Sequence, residues 1–365
     1  MKPPLISIVC TVKNNLNGIK DCIDSFLNQD YPYKQIIVQD GASTDGTLEF
    51  LQTKIGPIEL VSYADQNAEE GWKRALSRVK GDIFIPCDSH QVLKPNALSW
   101  AAQIFKNYPD IAAIYGDFEE YDLSDHSKQL FKSRNFFLEA FISGDMEIPL
   151  HSTFFKTQAC NHVQIKNFSL CGGFELFLKL GMNFSLVYEP SIISQRIRHT
   201  PSEKSYLKEI QYKAQQKVEV INAIFSQNPY QNHAEFIKLQ QISSGAIYFN
   251  SIKNMSIDLL DPESLSQTLT VLELLENGLK YTQETEYKSN AAIKLAQYSL
   301  FLFQHDKFEQ SLMVLEKLED LNIQVLGMHH VRSLLLQRLG RIKEAQQADG
   351  MEEARLMPGS MCMPQ

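Results

Sequence analysis

Apolar, largely β-branched residues fill positions 4–12 (PLISIVCTV) and stop at the polar turn Lys13-Asn14-Asn15, the pattern of a buried strand. Ile19, Cys22, Ile23, Phe26 and Leu27 then recur at the spacing of one buried helix face, which Asp30-Tyr31-Pro32 closes. Residues 35–39 predict a second strand, and the run Asp40-Gly41-Ala42-Ser43-Thr44-Asp45-Gly46-Thr47 a tight turn leading into a helix at 47–51. A third strand is expected at 58–63, and residues 65–80 read as a polar loop feeding a helix that carries Lys73, Arg74, Arg78 and Lys80. The apolar run 83–87 predicts a central strand, with Asp88 and His90 just past its C-terminal end.

Downstream, 95–108 has helical periodicity through Leu98, Ala101, Ala102 and Phe105, and 111–115 returns as a strand. Residues 119–134 read as a polar hairpin or loop, 151–155 as strand-like, 173–181 as a helix and 184–198 as an extended stretch broken at Pro190. Strands alternating with helices predict an α/β domain built on a mostly parallel sheet. The polar, proline-containing segment 199–204 reads as a linker, and from Tyr206 onward the pattern is helical. Ser299-Leu300-Phe301-Leu302 returns 34 residues later as Ser333-Leu334-Leu335-Leu336; Asp306-Lys307-Phe308 falls on Gly340-Arg341-Ile342, and Ser311 on Ala345. That period resembles the tetratricopeptide repeat. The expected organisation is residues 1–204, a helical domain at 205–350 and a flexible tail at 351–365.

With 365 residues, 44% hydrophobic and 21% charged, the chain has the length and composition for two packed domains. A net charge of −8 disfavours nucleic acid as a partner, since phosphate neutralisation needs a basic surface. No apolar stretch reaches a membrane span, so at most peripheral membrane association is expected. The six cysteines form no CxxC pair, which reads as buried free thiols and a cytoplasmic setting.

The chemistry gathers at strand ends. Asp40 follows the second strand, Asp65 the third and Asp88 the next, and carboxylates at neighbouring strand ends converge on one crevice. Dinucleotide, Walker and nucleophile-elbow motifs are absent, and His162, His329 and His330 form no zinc pattern.

The strand 4–9 followed by Thr11 and Asn14, the Asp40–Thr47 turn, and Gly81-Asp82-Ile83 leading into Asp88-Ser89-His90 resemble the family 2 glycosyltransferases of GT-A fold over about residues 4–205. Tyr115-Gly116-Asp117, His151 before Phe154-Phe155, Phe174-Glu175-Leu176 and Arg198-His199 extend the likeness. The resemblance implies inverting transfer of a sugar from a nucleotide diphosphate donor, a UDP-sugar favoured, to a saccharide, lipid-linked or protein acceptor. It implies that Thr11, Asp40 and Asp65 hold the nucleoside, and that Asp88 and His90 occupy the family's metal site, with Mn²⁺ or Mg²⁺ as cofactor. Lys73, Arg198 and His199 are expected on the donor side, and His151 against the sugar or acceptor.

Two positions depart from the pattern. His90 stands where the family has its second metal aspartate, leaving three roles open: metal ligand, hydrogen bond to diphosphate, or none. Gly173 stands where the family's acceptor-activating aspartate lies, which leaves Glu175 as the nearest candidate base. The alternative is a weak or inactive nucleotide-binding scaffold whose helical domain binds protein partners or a second copy.

Overall fold

The computed structural model describes residues 2–123, 126–163, 172–198, 203–226, 234–257, 260–282, 284–319 and 328–348. They form two compact units: Met1–Phe141 with Met146–Thr200, and Pro201–Gln365 with the short segment Ile142–Asp145. The division between residues 200 and 201 lies inside the segment 199–204 and four residues before the expected boundary at 204/205. The excursion of 142–145 into the helical unit was not legible, because nothing in its composition marks a change of partner. The expected tail 351–365 lies outside the described residues.

The first unit runs β1 (Ile6–Val12), α1 (Leu16–Leu27), β2 (Lys34–Asp40), α2 (Thr47–Gln52), β3 (Glu59–Ser62), α3 (Ala68–Leu76), β4 (Ile83–Asp88) and β5 (Gln91–Leu93). It continues with α4 (Ala97–Asn107), β6 (Ala113–Asp122), β7 (Lys128–Phe131), α5 (Leu138–Ile142), a single 3-10 turn at Leu150–Ser152, β8 (Thr153–Lys156), α6 (Thr157–Val163), α7 (Gly172–Asn183) and β9 (Leu186–Arg198). One sheet has the order β3-β2-β1-β4-β8-β6-β9-β5, with β7 paired to β6. The sheet is mixed rather than mostly parallel. β1, β2, β3 and β4 pair in parallel, as do β6 and β9, but β8 is antiparallel to both β4 and β6. The helical crossover through α4 carries β6 past a vacant sheet position, and β8 enters that position from the other end.

Alternate residues of β1 and β2 bury one face. Ile8, Cys10, Val12, Ile36 and Val38 pack with Ile19, Cys22, Ile23 and Phe26 of α1 and with Leu98 and Ala101 of α4. Each such large apolar side chain contributes about 1.5–3 kcal/mol on burial. Cys10, Cys22, Cys87 and Cys160 are free and buried here, as expected, and burial pushes their thiols up.

Two features were missed. β5 is three residues long, too short to show a period, yet it pairs Gln91 with Arg196 and Leu93 with Ser194 of β9. β9 passes through Pro190 instead of breaking there: between Tyr115↔Tyr188 and Asp117↔Ile192 the register shifts, so the residue without an N–H sits in a bulge.

The second unit contains α8 (Glu203–Ser226), α9 (Ala234–Lys253), α10 (Leu265–Tyr281), α11 (Thr285–Gln304), α12 (Phe308–Glu319) and α13 (Met328–Arg338). Asn250 Nδ2 donates to Ser143 O at 2.9 Å and Lys253 pairs with Asp145 at 3.0 Å, which ties 142–145 to α9. The turns after α11 and α13 share one backbone pattern. Lys307 N donates to Leu302 O and Arg341 N to Leu336 O; Asp306 N donates to Phe303 O and Gly340 N to Gln337 O. Asp306 (φ 59°) and Gly340 (φ 74°) both occupy the left-handed region, so the first turn adopts without glycine the conformation the second adopts with it. Among the described residues, no helix is long and apolar enough to cross a membrane.

Candidate functional site

Parallel pairing aligns the strand ends. Val12 lies opposite Asp40, Asp40 opposite Ser62, and Thr11 opposite Asp88, so Asp40 and Asp88 flank β1 on its two sides. Two strand spacings put their backbones roughly 10 Å apart. This edge is where the loops after β1, β2 and β4 meet, as the crevice rule for open α/β sheets requires.

Asp40 is wholly buried. Its Oδ2 accepts from Ser62 Oγ at 2.6 Å and Ser43 N at 3.1 Å, while Oδ1 is buried with no hydrogen-bond partner. An ionised carboxylate oxygen left in that state costs stability until something donates to it. Asp65 behaves differently. Gln39 Nε2 donates to its Oδ2 at 3.2 Å, and Arg74 Nε faces its Oδ1 at 3.0 Å as an ion pair rather than an aligned hydrogen bond. Arg74 is further held by Glu70 at 2.6 Å and lies over the Tyr63 ring at 3.9 Å. Asp65 therefore positions Arg74. Lys73 is exposed on α3, and Thr11 is half-buried beside Asp88.

Asn15, which the sequence reading passed over, joins three loops. Its backbone N donates to Thr47 Oγ1 at 3.1 Å, its Oδ1 accepts from Gly18 N at 3.1 Å as the cap of α1, and its Nδ2 donates to Ser89 O at 3.0 Å and Ser89 Oγ at 2.9 Å. Asn14 completes the clamp: its N donates to Ser43 Oγ at 2.8 Å and its Oδ1 accepts from Thr44 N at 2.8 Å. An asparagine just before a helix was the available signal. The close approach depends on Gly18, where a Cβ would stand 2.3 Å from Ser89 O. Gly18→Ala is expected to lower stability by about 1–3 kcal/mol despite its better helix propensity. Urea unfolding followed by fluorescence checks this; a variant as stable as the parent would show that the turn retreats without cost.

Asp88 is half-buried, and its Oδ1 accepts from His90 N at 2.8 Å. His90 O accepts from Ile197 N at 2.7 Å, which fixes the turn against β9. His90 Nδ1 lies 3.5 Å from Asn15 Nδ2. Mg²⁺ and Mn²⁺ take oxygen-rich shells, and here the Asp88 carboxylate, one oxygen of which accepts from His90 N, stands two residues before an imidazole. Among the described residues, no group of three or more His, Cys, Asp or Glu is placed to hold a metal ion. Asp88 is the residue that would hold such a cation, with donor phosphates and water completing the oxygen shell.

His151, in the turn before β8, is half-buried overall, but its Nε2 is buried without a hydrogen-bond partner. Its ring meets Phe118 edge-on at 4.3 Å, and its carbonyl accepts from Gln91 Nε2. Burial first, and the Arg196 charge second, hold its pKa down at about 4 against the pull of Asp88. Gln91 is itself fully buried with an unpartnered Oε1. Glu175, on the first turn of α7, pairs with Lys179 at 2.5 Å. The three atoms nearest a Cβ on Gly173 would be Leu150 side-chain atoms, the first at 3.5 Å. The Arg198 side chain and all of His199 lie outside the described residues.

Comparison with known proteins places these observations. The chain is 29% identical to the chondroitin synthase of Pasteurella multocida over 115 residues, 31% of this chain and 12% of that protein. It is also 29% identical to a dolichyl N-acetyl-glucosaminyl phosphate 2,3-diacetamido-2,3-dideoxy-glucuronosyltransferase of Methanococcus voltae over 122 residues, 30% of this chain and 38% of the relative. The chain thus spans well under half the length of these relatives. Among solved structures, S. aureus TarS 1–349 in complex with UDP-GlcNAc aligns with a TM-score of 0.46 at 13% identity, covering 96% of this chain and 91% of that one. Residues 7–161, which carry Thr11, Asp40, Asp65, Asp88, His90 and His151 but end before Gly173, match the family described as Glycosyl transferase family 2.

Proposed function

We propose that this protein is a glycosyltransferase of GT-A type that moves a sugar from a nucleotide diphosphate, a UDP-sugar favoured, to a saccharide acceptor with inversion. The observation that carries the reading is Asp40: a buried carboxylate at the end of β2 with one oxygen fixed by Ser62 and Ser43 and the other lacking a donor. An acceptor-only group can take the imino N–H of uracil or guanine, as it can an exocyclic amino N–H of any base that carries one. The relatives named above, acting in glycan synthesis, support a saccharide acceptor and a role in polysaccharide assembly.

In the transfer, the acceptor oxygen forms a bond to the anomeric carbon as the bond from that carbon to the diphosphate oxygen breaks. The acceptor proton passes to a base and the electron pair leaves with the nucleotide. Asp40 binds and orients the nucleoside, Thr11 lines its pocket, and Arg74, held by Asp65, closes its outer side. His151, neutral and facing inward, orients a sugar hydroxyl. The recurring turns after α11 and α13 support two tetratricopeptide-like units, a surface suited to a protein partner. The scaffold alternative draws on two features, the absence of a carboxylate at Gly173 and the histidine at position 90 in place of a second aspartate.

Asp40→Asn tests the reading. The amide oxygen keeps the bonds from Ser62 and Ser43, and the amide nitrogen puts a donor where Oδ1 was, so the fold is retained and the base is refused. Calorimetric titration is expected to show UDP or GDP binding to the parent and a loss of about a hundredfold in the variant. An Asp40→Asn protein that binds as tightly as the parent would remove Asp40 from the nucleoside site, and a parent that binds neither nucleotide would end the donor reading.

A further inference from the structure

We infer that the stacked rings of Phe118 and Phe131 are the platform on which the acceptor saccharide lies. The inference rests on the glycosyl transfer proposed above and names the acceptor side of that site. It starts from strand register. Leu93, Ser194, Phe118 and Phe131 stand opposite one another across β5, β9, β6 and β7, and two residues along each strand the row Gln91, Arg196, Glu120 and Gln129 repeats the alignment. Opposed residues, and residues two apart on a strand, share a face of a sheet. One face of this four-stranded segment therefore carries the aromatic pair beside a polar row.

The turn that presents His151 lies on the same face. Three contacts pin it: Ser152 Oγ is 2.7 Å from Ser194 Oγ, Gln91 Nε2 donates to the His151 carbonyl, and the His151 ring meets Phe118 edge-on at 4.3 Å. Leu93, Ser194 and Gln91 are buried, whereas Phe118 and Phe131 are half-buried and Arg196 and Gln129 are exposed. The aromatic pair thus begins at His151 and runs out to β7. The two rings lie 4.8 Å apart with 5° between their planes. Phe118 takes the His151 ring and one face of Phe131, and the opposite face of Phe131 points away from it.

Strand order sets the order of the ligand's parts. From β2, which ends in Asp40, the strand that ends in Asp88 is two positions along the sheet and β6 is four, roughly 10 Å and 19 Å. A donor with its nucleoside at Asp40 and its diphosphate toward Asp88 brings its anomeric carbon between Asp88 and β6, so the acceptor meets it from the β6 side. A pyranose presents one face of weakly positive C–H bonds, and an aromatic face is negative, so the two stack. The hydroxyl groups around the sugar then turn to polar neighbours such as Arg196 and Gln129. A cross-strand aromatic pair also supports its own hairpin, and the two roles separate by experiment.

Saturation-transfer NMR of the full-length chain in the presence of UDP, with the methyl β-pyranosides of glucose, galactose, N-acetylglucosamine, N-acetylgalactosamine and glucuronic acid, tests this. At least one is expected to bind. Phe131→Leu keeps an apolar residue against Phe118 and should weaken that saccharide about three- to tenfold with UDP affinity unchanged. Phe131→Trp, with a larger aromatic face, should hold it at least as tightly as the parent does. A Phe131→Leu chain that binds the saccharide as the parent does would overturn the inference, as would a parent that binds none of the five. Parallel losses of saccharide and UDP in both Phe131 variants would reduce the pair to a support for the hairpin and overturn it too. A loss in Phe131→Leu confined to UDP-sugars, measured against UDP, would give the rings to the donor sugar and overturn the acceptor assignment. A parent that binds saccharide through Phe131 but neither UDP nor GDP would end the donor reading and leave the platform standing as a saccharide site.

Discussion

Gly173→Asp is expected to raise sugar-transfer turnover by about a hundredfold or more, the range over which a positioned general base acts. The geometry admits the change. A Cβ at residue 173 meets Leu150 side-chain atoms at 3.5 Å, ordinary van der Waals contact, and Leu150 directly precedes His151. A carboxylate there would project toward the turn that presents the inward-facing imidazole. It would also stand in the first turn of α7, where a negative charge complements the helix dipole and aspartate replaces the poorer helix former glycine. No loss of stability is therefore expected to mask the gain.

In this arrangement the Glu175 carboxylate is already engaged. Its carboxylate is paired with Lys179 one turn further along α7 at 2.5 Å, and two residues of helix turn it about 200° from the direction of residue 173. Glu175→Gln is expected to leave the parent's turnover within a few-fold. Release of UDP from a panel of UDP-sugars, with water or saccharide as acceptor, measures both variants. No gain in Gly173→Asp, joined to abolished turnover in Glu175→Gln, would make Glu175 the working base.

What the sequence made legible, and what it did not, divides on one physical line. β1, β2 and β4 are buried on both faces, so their continuous apolar runs and the polar residues at their ends mark them, and with them Asp40 and Asp88, from the pattern alone. The mixed order beyond β4 was not legible, because the direction of β8 is set by which sheet position α4 leaves open and not by anything in residues 153–156. Roles that depend on a second partner were equally hidden. Asp65 also follows a strand, three residues beyond the end of β3, yet Gln39 and Arg74 occupy its carboxylate. The contact of Asn15 with the Ser89-His90 turn spans some 75 residues of chain. The turn at Asp306 was legible only through its 34-residue counterpart, since aspartate alone does not announce a left-handed residue.

Acid is expected to weaken the sheet-containing unit through His151. Its pKa in the folded chain is about 4, held there mainly by burial and next by Arg196, against about 6.5 for histidine in an unfolded chain. Between those values the unfolded chain binds the proton and the folded one does not, so stability rises with pH across the window and is lost as pH falls from about 6.5 to about 4. The difference amounts to about 2–3 kcal/mol at the acid end. Above pH 6.5 the ring is neutral in both states and the dependence ends. His151→Gln removes the titrating group while retaining a polar side chain, and the variant should lose this slope. Both tryptophans, Trp72 and Trp100, lie in the sheet-containing unit, so urea unfolding followed by tryptophan fluorescence at pH 7, 5.5 and 4.5 reports on that unit alone. Parallel pH profiles for parent and variant would show that His151 takes up its proton without opening the turn before β8. The Phe118 edge contact and the unpartnered Nε2 would then have to coexist with an imidazolium, which burial beside Arg196 opposes.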